Sequence, residues 1–245
     1  MCYGFASMKN ALALLLFAAA VSANEPKHGV FANEKLTVGG KERLYRLVVP
    51  DSVDLSKPAP LVFAFHGFGI DSKDMMPVYT QLDALAKKEK FILVYPQGLN
   101  NAWWIIVEKN PDLPYFDVLL AKLTTDYKID PKRIYATGMS NGAYFCNILA
   151  SQRSDKIAAI APHSGGLGLL AARGINAKQK YAVFIIHGAD DKLVKVEEGS
   201  KAHDVYKKAG HTVEYLEVAG LGHFWAHKAD VNAKIWEFFK GHPIK

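Results

Sequence analysis

The chain has 245 residues, of which half are hydrophobic and 22% are charged. This profile is typical of a globular protein, and the length is sufficient for one large α/β domain. The formal net charge of +6 comes from lysines scattered along the chain rather than from a basic run, so nucleic acid is not expected as a partner. Because no linker-like stretch, low-complexity tract or internal repeat interrupts the chain, residues 24–245 are predicted to form a single domain.

The first 23 residues are predicted to be a secretory signal peptide. Lys9 precedes an apolar stretch over residues 11–21, and Ala23 ends a run of small residues suited to cleavage. This stretch is shorter than the roughly 20 apolar residues that a membrane span needs, so stable membrane insertion is not expected. We expect a secreted or periplasmic protein cleaved near Ala23. An uncleaved anchor remains the alternative, and Met8 is a second candidate for the start of translation.

Only two cysteines are present, and Cys2 would leave with the signal peptide. The mature chain then holds Cys146 alone and cannot form an intramolecular disulfide. Cys146 lies in an apolar helical stretch, which favours a buried small residue over a reactive thiol.

Beyond the signal peptide, short apolar runs alternate with helical patterns. Several of the runs are almost continuously apolar, as in strands buried on both faces of a parallel sheet. The predicted strands are residues 44–49, 61–65, 91–95, 133–137, 157–161, 182–186 and 213–218. The predicted helices are residues 76–88, 115–126, 143–151, 196–208 and 229–239. This alternation predicts an α/β fold with a mostly parallel, doubly wound sheet, in which the first strand is antiparallel.

In a sheet of this kind, the active site lies beyond the carboxyl ends of the strands. Gly138-Met139-Ser140-Asn141-Gly142 follows a predicted strand and opens a predicted helix. This is a G-x-S-x-G nucleophile elbow in the setting that the α/β-hydrolase fold requires, and it predicts Ser140 as the nucleophile. The N–H groups at the start of the helix favour the negative charge that develops during attack.

A serine nucleophile needs a general base, and the base needs an acid that orients it. In this fold the chain order is serine, acid, histidine. Two later strands lead into Asp190-Asp191 and into His223, which gives the required order. The two aspartates remain alternatives on order alone. His223 is favoured over His227, because His223 lies in a glycine-rich loop whereas His227 belongs to the predicted last helix.

An oxyanion hole is the third component that this chemistry needs. The backbone N–H of Asn141, directly after the nucleophile, is one predicted donor, and the N–H of Phe68, in a loop after an early strand, is the other. His66 and His187 each end a strand in a His-Gly pair, and we expect buried imidazoles that shape these loops. Histidine and acidic residues show no metal-ligand spacing, and the mechanism requires no cofactor.

Several aromatic residues fall in or beside the loops that follow the strands, where they are candidates to contact an aromatic or apolar substrate. Trp103 and Phe68 are the predicted substrate contacts. The others are expected in part to pack the loops, and they are Trp104, Tyr115, Phe116 and Trp225.

Taken together, these segments resemble the secreted esterase group that contains feruloyl esterases and polyhydroxybutyrate depolymerases. The segments that carry the resemblance are His66-Gly67-Phe68-Gly69, Tyr95-Pro96-Gln97-Gly98 with Trp103, residues 127–135, Gly138-Met139-Ser140-Asn141-Gly142, His187-Gly188 with Asp191 and Val194, and Gly222-His223 with Trp225. They span roughly residues 42–239. The resemblance implies that Asp191, three residues before Val194 in the H-G-x-x-D-x-x-V motif, is the acid of the triad.

The chain departs from this group after Trp103, where family members usually carry polar residues or glycine. Here Trp104-Ile105-Ile106-Val107 follows, so the wall that this segment builds is expected to differ. Many exported members of the group also carry disulfides.

The predicted function is that of a serine carboxylic-ester hydrolase that acts through an acyl-enzyme on feruloyl or acetyl esters of plant polysaccharide fragments. A polyhydroxyalkanoate or other polyester depolymerase is the first alternative, and an acyltransferase is the second. A non-catalytic binding module on the same fold is the alternative from another class.

Overall fold

The computed structural model describes residues 1, 25–72 and 74–245, so the predicted signal peptide, apart from Met1, lies outside the described residues. The described part contains eight strands. They are β1 (Gly29–Val38), β2 (Lys41–Val49), β3 (Ala59–Phe65), β4 (Ile92–Pro96), β5 (Ile129–Met139), β6 (Ala159–His163), β7 (Ala182–Gly188) and β8 (Thr212–Val218). All eight belong to one sheet in the order β1-β2-β4-β3-β5-β6-β7-β8.

The strands from β3 to β8 run parallel to one another, whereas β2 is antiparallel to both β1 and β4. The prediction of a mostly parallel α/β sheet with an antiparallel first strand is therefore confirmed for β2. The preceding edge strand β1 was not predicted. Its burial alternates along the strand without a continuous apolar run, so the sequence offers only a weak strand pattern there.

Seven α-helices cover the two faces of the sheet in the described residues. They are α1 (Met75–Thr80), α2 (Leu82–Glu89), α3 (Asp112–Asp126), α4 (Asn141–Gln152), α5 (Leu170–Arg173), α6 (Val196–Lys208) and α7 (Val231–Gly241). Helices α3, α4 and α6 contribute to the core on one face, and α1, α2 and α7 contribute to the core on the other. None of the described helices is long and apolar enough to cross a membrane.

The alternation of side chains along β3 shows how the sheet divides the core. Phe63 and Phe65 pack into the core on the α4 side, whereas Val62 and Ala64 pack into the core on the α7 side. Side chains of a strand alternate between the two faces, so a central strand covered on both sides must be apolar throughout. This is the physical reason for the unbroken apolar runs in the sequence.

The predicted helix over residues 76–88 is interrupted. Gln81 adopts the left-handed conformation with φ of 55°, and its N–H donates to the carbonyl of Pro77. The segment therefore forms α1 and α2 with a change of direction between them. Cys146 is fully buried in α4, as expected, and burial raises the pKa of its thiol, which leaves it unreactive.

Candidate active site

The turn between β5 and α4 has the strained geometry of a nucleophile elbow. Ser140 stands at φ 54° and ψ −117°, a region that residues with a side chain rarely adopt. The close approach of neighbouring chain requires the flanking glycines. A Cβ at Gly142 would lie 2.3 Å from the carbonyl oxygen of Phe65, and a Cβ at Gly138 would lie 2.7 Å from the backbone of Gly142. The glycine spacing in the sequence is thus explained by packing of β5 and α4 against β3.

Backbone hydrogen bonds hold Ser140 in this conformation. Its N–H donates to the carbonyl of His163 at 2.9 Å, next to the last β5–β6 pair. Its carbonyl accepts the N–H groups of Ala143 at 2.9 Å and Tyr144 at 3.1 Å. The serine is therefore fixed at the carboxyl end of the sheet, where the sequence places the chemistry.

The structure brings Asp191 and His223 into direct contact. Nδ1 of His223 lies 2.7 Å from Oδ2 of Asp191, and the other carboxylate oxygen accepts the N–H groups of Leu193 and Val194, each at 2.9 Å. The carboxylate is buried, which opposes its ionisation, but the hydrogen bonds from Val194 and His223 outweigh this effect and lower the pKa of Asp191. An ionised, fixed carboxylate behind an imidazole is the arrangement that orients a general base.

The two residues that the sequence left as alternatives lie elsewhere. Asp190 is exposed to solvent and its N–H donates to the carbonyl of Leu221. His227 is exposed in a 3₁₀ turn before α7 rather than in the last helix as predicted, and its Nε2–H donates to the carbonyl of Tyr79 at 2.8 Å. Neither side chain takes part in the contact between Asp191 and His223.

The predicted oxyanion loop lies beside the elbow. A Cβ at Gly67 would stand 3.7 Å from the Cβ of Ser140, so the residue directly before Phe68 lies close to Ser140. The N–H of Gly69 donates to the carbonyl of Asn101 at 2.8 Å, which fastens the far side of the loop. The side chain of Phe68 is 75% exposed and free to contact a ligand.

His66 and His187 are buried and hydrogen-bonded, as expected. Nε2 of His66 accepts the N–H of Gly98 at 2.9 Å, so the proton lies on Nδ1, which donates to the carbonyl of Gly67 at 2.7 Å. Burial lowers the pKa of His66 and keeps it neutral. Nε2–H of His187 donates to the carbonyl of Val194 at 2.8 Å and lies 3.5 Å from Oδ2 of Asp191. Each imidazole therefore fixes a loop next to the site.

Trp103 was predicted to contact the substrate, but the structure places its ring in the interior. Only 3% of the residue is exposed, its ring stacks on Phe145 with centroids 4.9 Å apart, and its Nε1–H donates to the carbonyl of His66 at 3.0 Å. A ring enclosed in this way packs the loop and is not exposed to a ligand. The rings of Tyr115, Phe116 and Trp225 are buried as well.

Exposed apolar side chains nevertheless occur in the loops that carry the site. Six of them are large hydrophobic residues: Phe68, Trp104, Ile105, Ile106, Leu193 and Phe224. These six side chains form the apolar rim. The segment of the rim directly after Trp103 is held by a buried ion pair that the sequence did not predict. Arg43 of β2 contacts Oδ1 of Asp112 at 2.6 Å with both side chains 2% exposed, and Oδ2 accepts the N–H of Trp104 at 2.8 Å.

No group of three or more histidine, cysteine or acidic side chains suited to a metal ion occurs among the described residues.

The fold and the elbow are those of an α/β-hydrolase. The family model for phospholipases and carboxylesterases matches residues 114–233. A feruloyl esterase C from Emericella nidulans is 30% identical over 197 residues, which cover 77% of this chain and 70% of the relative. The chain therefore belongs to the feruloyl-esterase-like group of α/β-hydrolase serine esterases, and it is a carboxylic ester hydrolase.

Other similarities differ in how much of each protein they cover. Feruloyl esterase D of Neurospora crassa is 28% identical over 222 residues, covering 82% of this chain and 74% of the relative. A bifunctional acetylxylan esterase/xylanase of Neocallimastix patriciarum is 29% identical over 145 residues, covering 59% of this chain, but the match spans only 21% of that enzyme. The structure of a thermostable esterase superposes with a TM-score of 0.71 at 22% identity, over 87% of this chain and 63% of the other, and supports the fold alone.

Proposed function

We propose that this esterase uses Ser140, His223 and Asp191 as a catalytic triad and forms an acyl-enzyme. The observation that carries the proposal is the 2.7 Å contact between His223 and Asp191, in loops at the same end of the sheet as the strained Ser140 elbow. Because Nδ1 of His223 faces the carboxylate, Nε2 is left as the basic nitrogen. This supports the role of His223 as the base for Ser140.

In the proposed first step, Nε2 of His223 takes the proton of the Ser140 hydroxyl while Oγ attacks the ester carbonyl carbon. The tetrahedral intermediate collapses, the imidazolium gives its proton to the departing alkoxide, and the alcohol leaves an acyl-serine. Water then repeats the sequence with His223 as its base and releases the carboxylic acid. Asp191 holds the imidazole in one tautomer and stabilises its charged form.

The backbone N–H groups of Phe68 and Asn141 are the proposed donors to the oxyanion. The location of Asn141 at the first position of α4 supports this role, since N–H groups in the first turn of a helix have no partner within the helix. The nearness of Gly67 to Ser140 supports the assignment of the Phe68 loop. The removal of one such donor costs about 2.7–4 kcal/mol in the activation barrier of a comparable enzyme.

The proposed substrates are feruloyl or acetyl esters of plant polysaccharide fragments. Similarity to proteins named feruloyl esterase and acetylxylan esterase supports this class. The exposed side chains of Phe68, Trp104 and Phe224 add support for an aromatic acyl group over acetyl, because an apolar ring gains from contact with such a rim. The same rim supports the alternative substrate, an oligomer of an aliphatic polyester.

The experiment is a comparison of p-nitrophenyl esters from acetate to decanoate, methyl ferulate and a hydroxybutyrate oligomer. Wild type, Ser140→Ala and the control Ser200→Ala are assayed, since Ser200 lies on α6 and its hydroxyl donates to the carbonyl of Glu197 at the surface. We expect loss of activity in Ser140→Ala alone and the highest kcat/KM on methyl ferulate. A preference for the oligomer would favour the polyester alternative, and transfer to an added alcohol in preference to water would favour an acyltransferase.

Export is proposed on the N-terminal sequence alone. Residues 1–23 are the proposed signal peptide, with cleavage near Ala23. Expression of the full chain in an exporting host, followed by N-terminal sequencing, should yield a mature chain that starts near Asn24. A chain that retains its first residues in the membrane fraction would support the uncleaved anchor.

A further inference from the structure

His163, the last residue of β6, contacts both parts of the proposed catalytic machinery. Its carbonyl accepts the N–H of Ser140 at 2.9 Å. Its ring points to the α7 side of the sheet, where Nε2 lies 3.1 Å from the N–H of Ala226, three residues after His223. A single buried residue therefore joins the nucleophile elbow to the loop of the base.

The hydrogen bonds determine the tautomer of this imidazole. The N–H of Ala226 can only donate, so Nε2 of His163 must be an unprotonated acceptor. The proton therefore lies on Nδ1, 3.0 Å from the hydroxyl oxygen of Ser164, to which it donates. A positively charged ring would turn an N–H group toward the N–H of Ala226, so the contact exists only for the neutral form.

The surroundings of the ring keep it neutral and in place. It is fully buried, and its ring stacks on Trp225 with centroids 4.8 Å apart and planes 15° apart. Burial and the neighbouring imidazoles of His187 and His223 lower the pKa of His163 to about 3. The opposite side of the loop is held by Tyr79, whose hydroxyl accepts the N–H of Trp225 at 3.0 Å.

We propose that His163 is a positioning residue for ester hydrolysis, which holds the loop that carries His223 against the strand end that carries Ser140. This inference rests on the proposed roles of Ser140 and His223. His163 does not touch the reacting atoms. It fixes the backbone immediately after the base, and a small displacement of a base relative to its nucleophile lowers the rate of proton transfer.

Three substitutions of His163 distinguish the effect of its hydrogen bond to Ala226 from the effect of its packing volume. His163→Gln offers an amide oxygen near the former place of Nε2 and can still accept the N–H of Ala226. His163→Asn is shorter and reaches only the side of Ser164, and His163→Leu is apolar. We expect kcat to fall about tenfold or more for the leucine and asparagine variants, with KM for p-nitrophenyl acetate nearly unchanged, and the glutamine variant to recover most of the loss.

His211 offers a matched control at the opposite end of the strands. It is also a buried imidazole, 6% exposed, which bonds the carbonyl of Tyr181 at 3.0 Å and packs against the ring of that residue. It precedes β8, whereas His163 ends β6, so in these parallel strands it lies at the end of the sheet away from the loops of the site. His211→Leu should lower the melting temperature by an amount similar to His163→Leu but leave kcat of the folded enzyme unchanged.

The measurements are kcat and KM at a temperature where each variant is folded, together with thermal unfolding. Equal effects of His163→Leu and His211→Leu on kcat would overturn the inference. If the leucine variant does not fold, equal kcat for His163→Gln and His163→Asn would overturn it, and higher kcat for glutamine would support it. Failure of the proposed function is detected separately, by a Ser140→Ala variant that is as active as wild type. The His163 variants do not test it.

Discussion

The side chain of Asn141 pairs with both backbone groups of Trp103. Oδ1 accepts the N–H of Trp103 at 2.6 Å, and Nδ2 donates to its carbonyl at 3.2 Å. The residue whose own N–H is a proposed oxyanion donor thus fastens the loop that bears Trp104–Ile106. The elbow and the apolar rim are joined by one side chain.

Substitution of the Asn141 side chain tests the role of the loop at Trp103 and leaves the proposed oxyanion donor, the backbone N–H of Asn141, in place. Asn141→Ala keeps the backbone N–H but loses both side-chain hydrogen bonds, and we expect kcat/KM for methyl ferulate to fall about tenfold. Hydrogen exchange of residues 103–106 should accelerate in parallel. Unchanged exchange in the alanine variant would contradict the proposed link.

Asp191 and Asp190 form an internal pair of variant and control. Asp191→Asn removes the charge that faces Nδ1 of His223 and leaves a side chain of the same size. We expect kcat on p-nitrophenyl acetate to fall by about 10³-fold or more, because the imidazole loses its orienting carboxylate. Asp190→Asn changes an exposed carboxylate and should leave kcat within about twofold. A larger loss from Asp190→Asn than from Asp191→Asn would reverse the assignment.

The ion pair between Arg43 and Asp112 predicts a non-additive effect on stability. Arg43→Met leaves a buried carboxylate without its counter-charge and should lower the free energy of unfolding by about 3–5 kcal/mol. The double variant Arg43→Met/Asp112→Asn is neutral and retains an acceptor for the N–H of Trp104, so it should be more stable than the single variant. Urea unfolding of the wild type, the single variants Arg43→Met and Asp112→Asn, and the double variant measures this. Additive losses would show that the two side chains act independently.

The buried neutral histidines predict loss of stability in acid. The folded-state pKa of His163 is about 3, below the ordinary value of 6.5, so the unfolded chain binds more protons between these values. The free energy of unfolding should therefore fall as the pH is lowered from about 6.5 toward 3, by up to about 1.4 kcal/mol per pH unit for this group. Burial depresses the pKa of His66 in the same direction.

Urea unfolding at pH 7, 5.5 and 4.5 measures this dependence. His163→Gln has no titrating group at this position and should show a smaller decrease between pH 7 and pH 4.5 than wild type. The lowered pKa of Asp191 adds a loss of stability only at more acidic pH, as the carboxylate becomes protonated. Equal slopes for wild type and His163→Gln would contradict a depressed pKa at His163.

The sequence by itself determined the order of elements and the position of the elbow. Continuous apolar runs such as residues 61–65 reported strands buried on both faces, because a central parallel strand has no solvent side. The glycines around Ser140 predicted a tight turn in which neighbouring segments of the backbone come into contact. Local signals also placed Ser140, an aspartate at 190 or 191, and His223 in the required order, and the resemblance to the esterase group selected Asp191. All of these features depend on residues that are neighbours in the chain.

The tertiary structure decided the features that depend on partners distant in sequence. Trp103 is an aromatic residue in a loop that follows a strand, which predicted a substrate contact. Its ring is instead packed against Phe145, which lies in a helix 42 residues further along the chain. His163 carries no motif, and its ring meets Ala226, 63 residues away, only because β6 lies between β5 and β7 in the sheet. Periodicity reports which face of a strand is covered. It does not report which side chain covers it, because that choice is made by the packing of elements after the chain has folded.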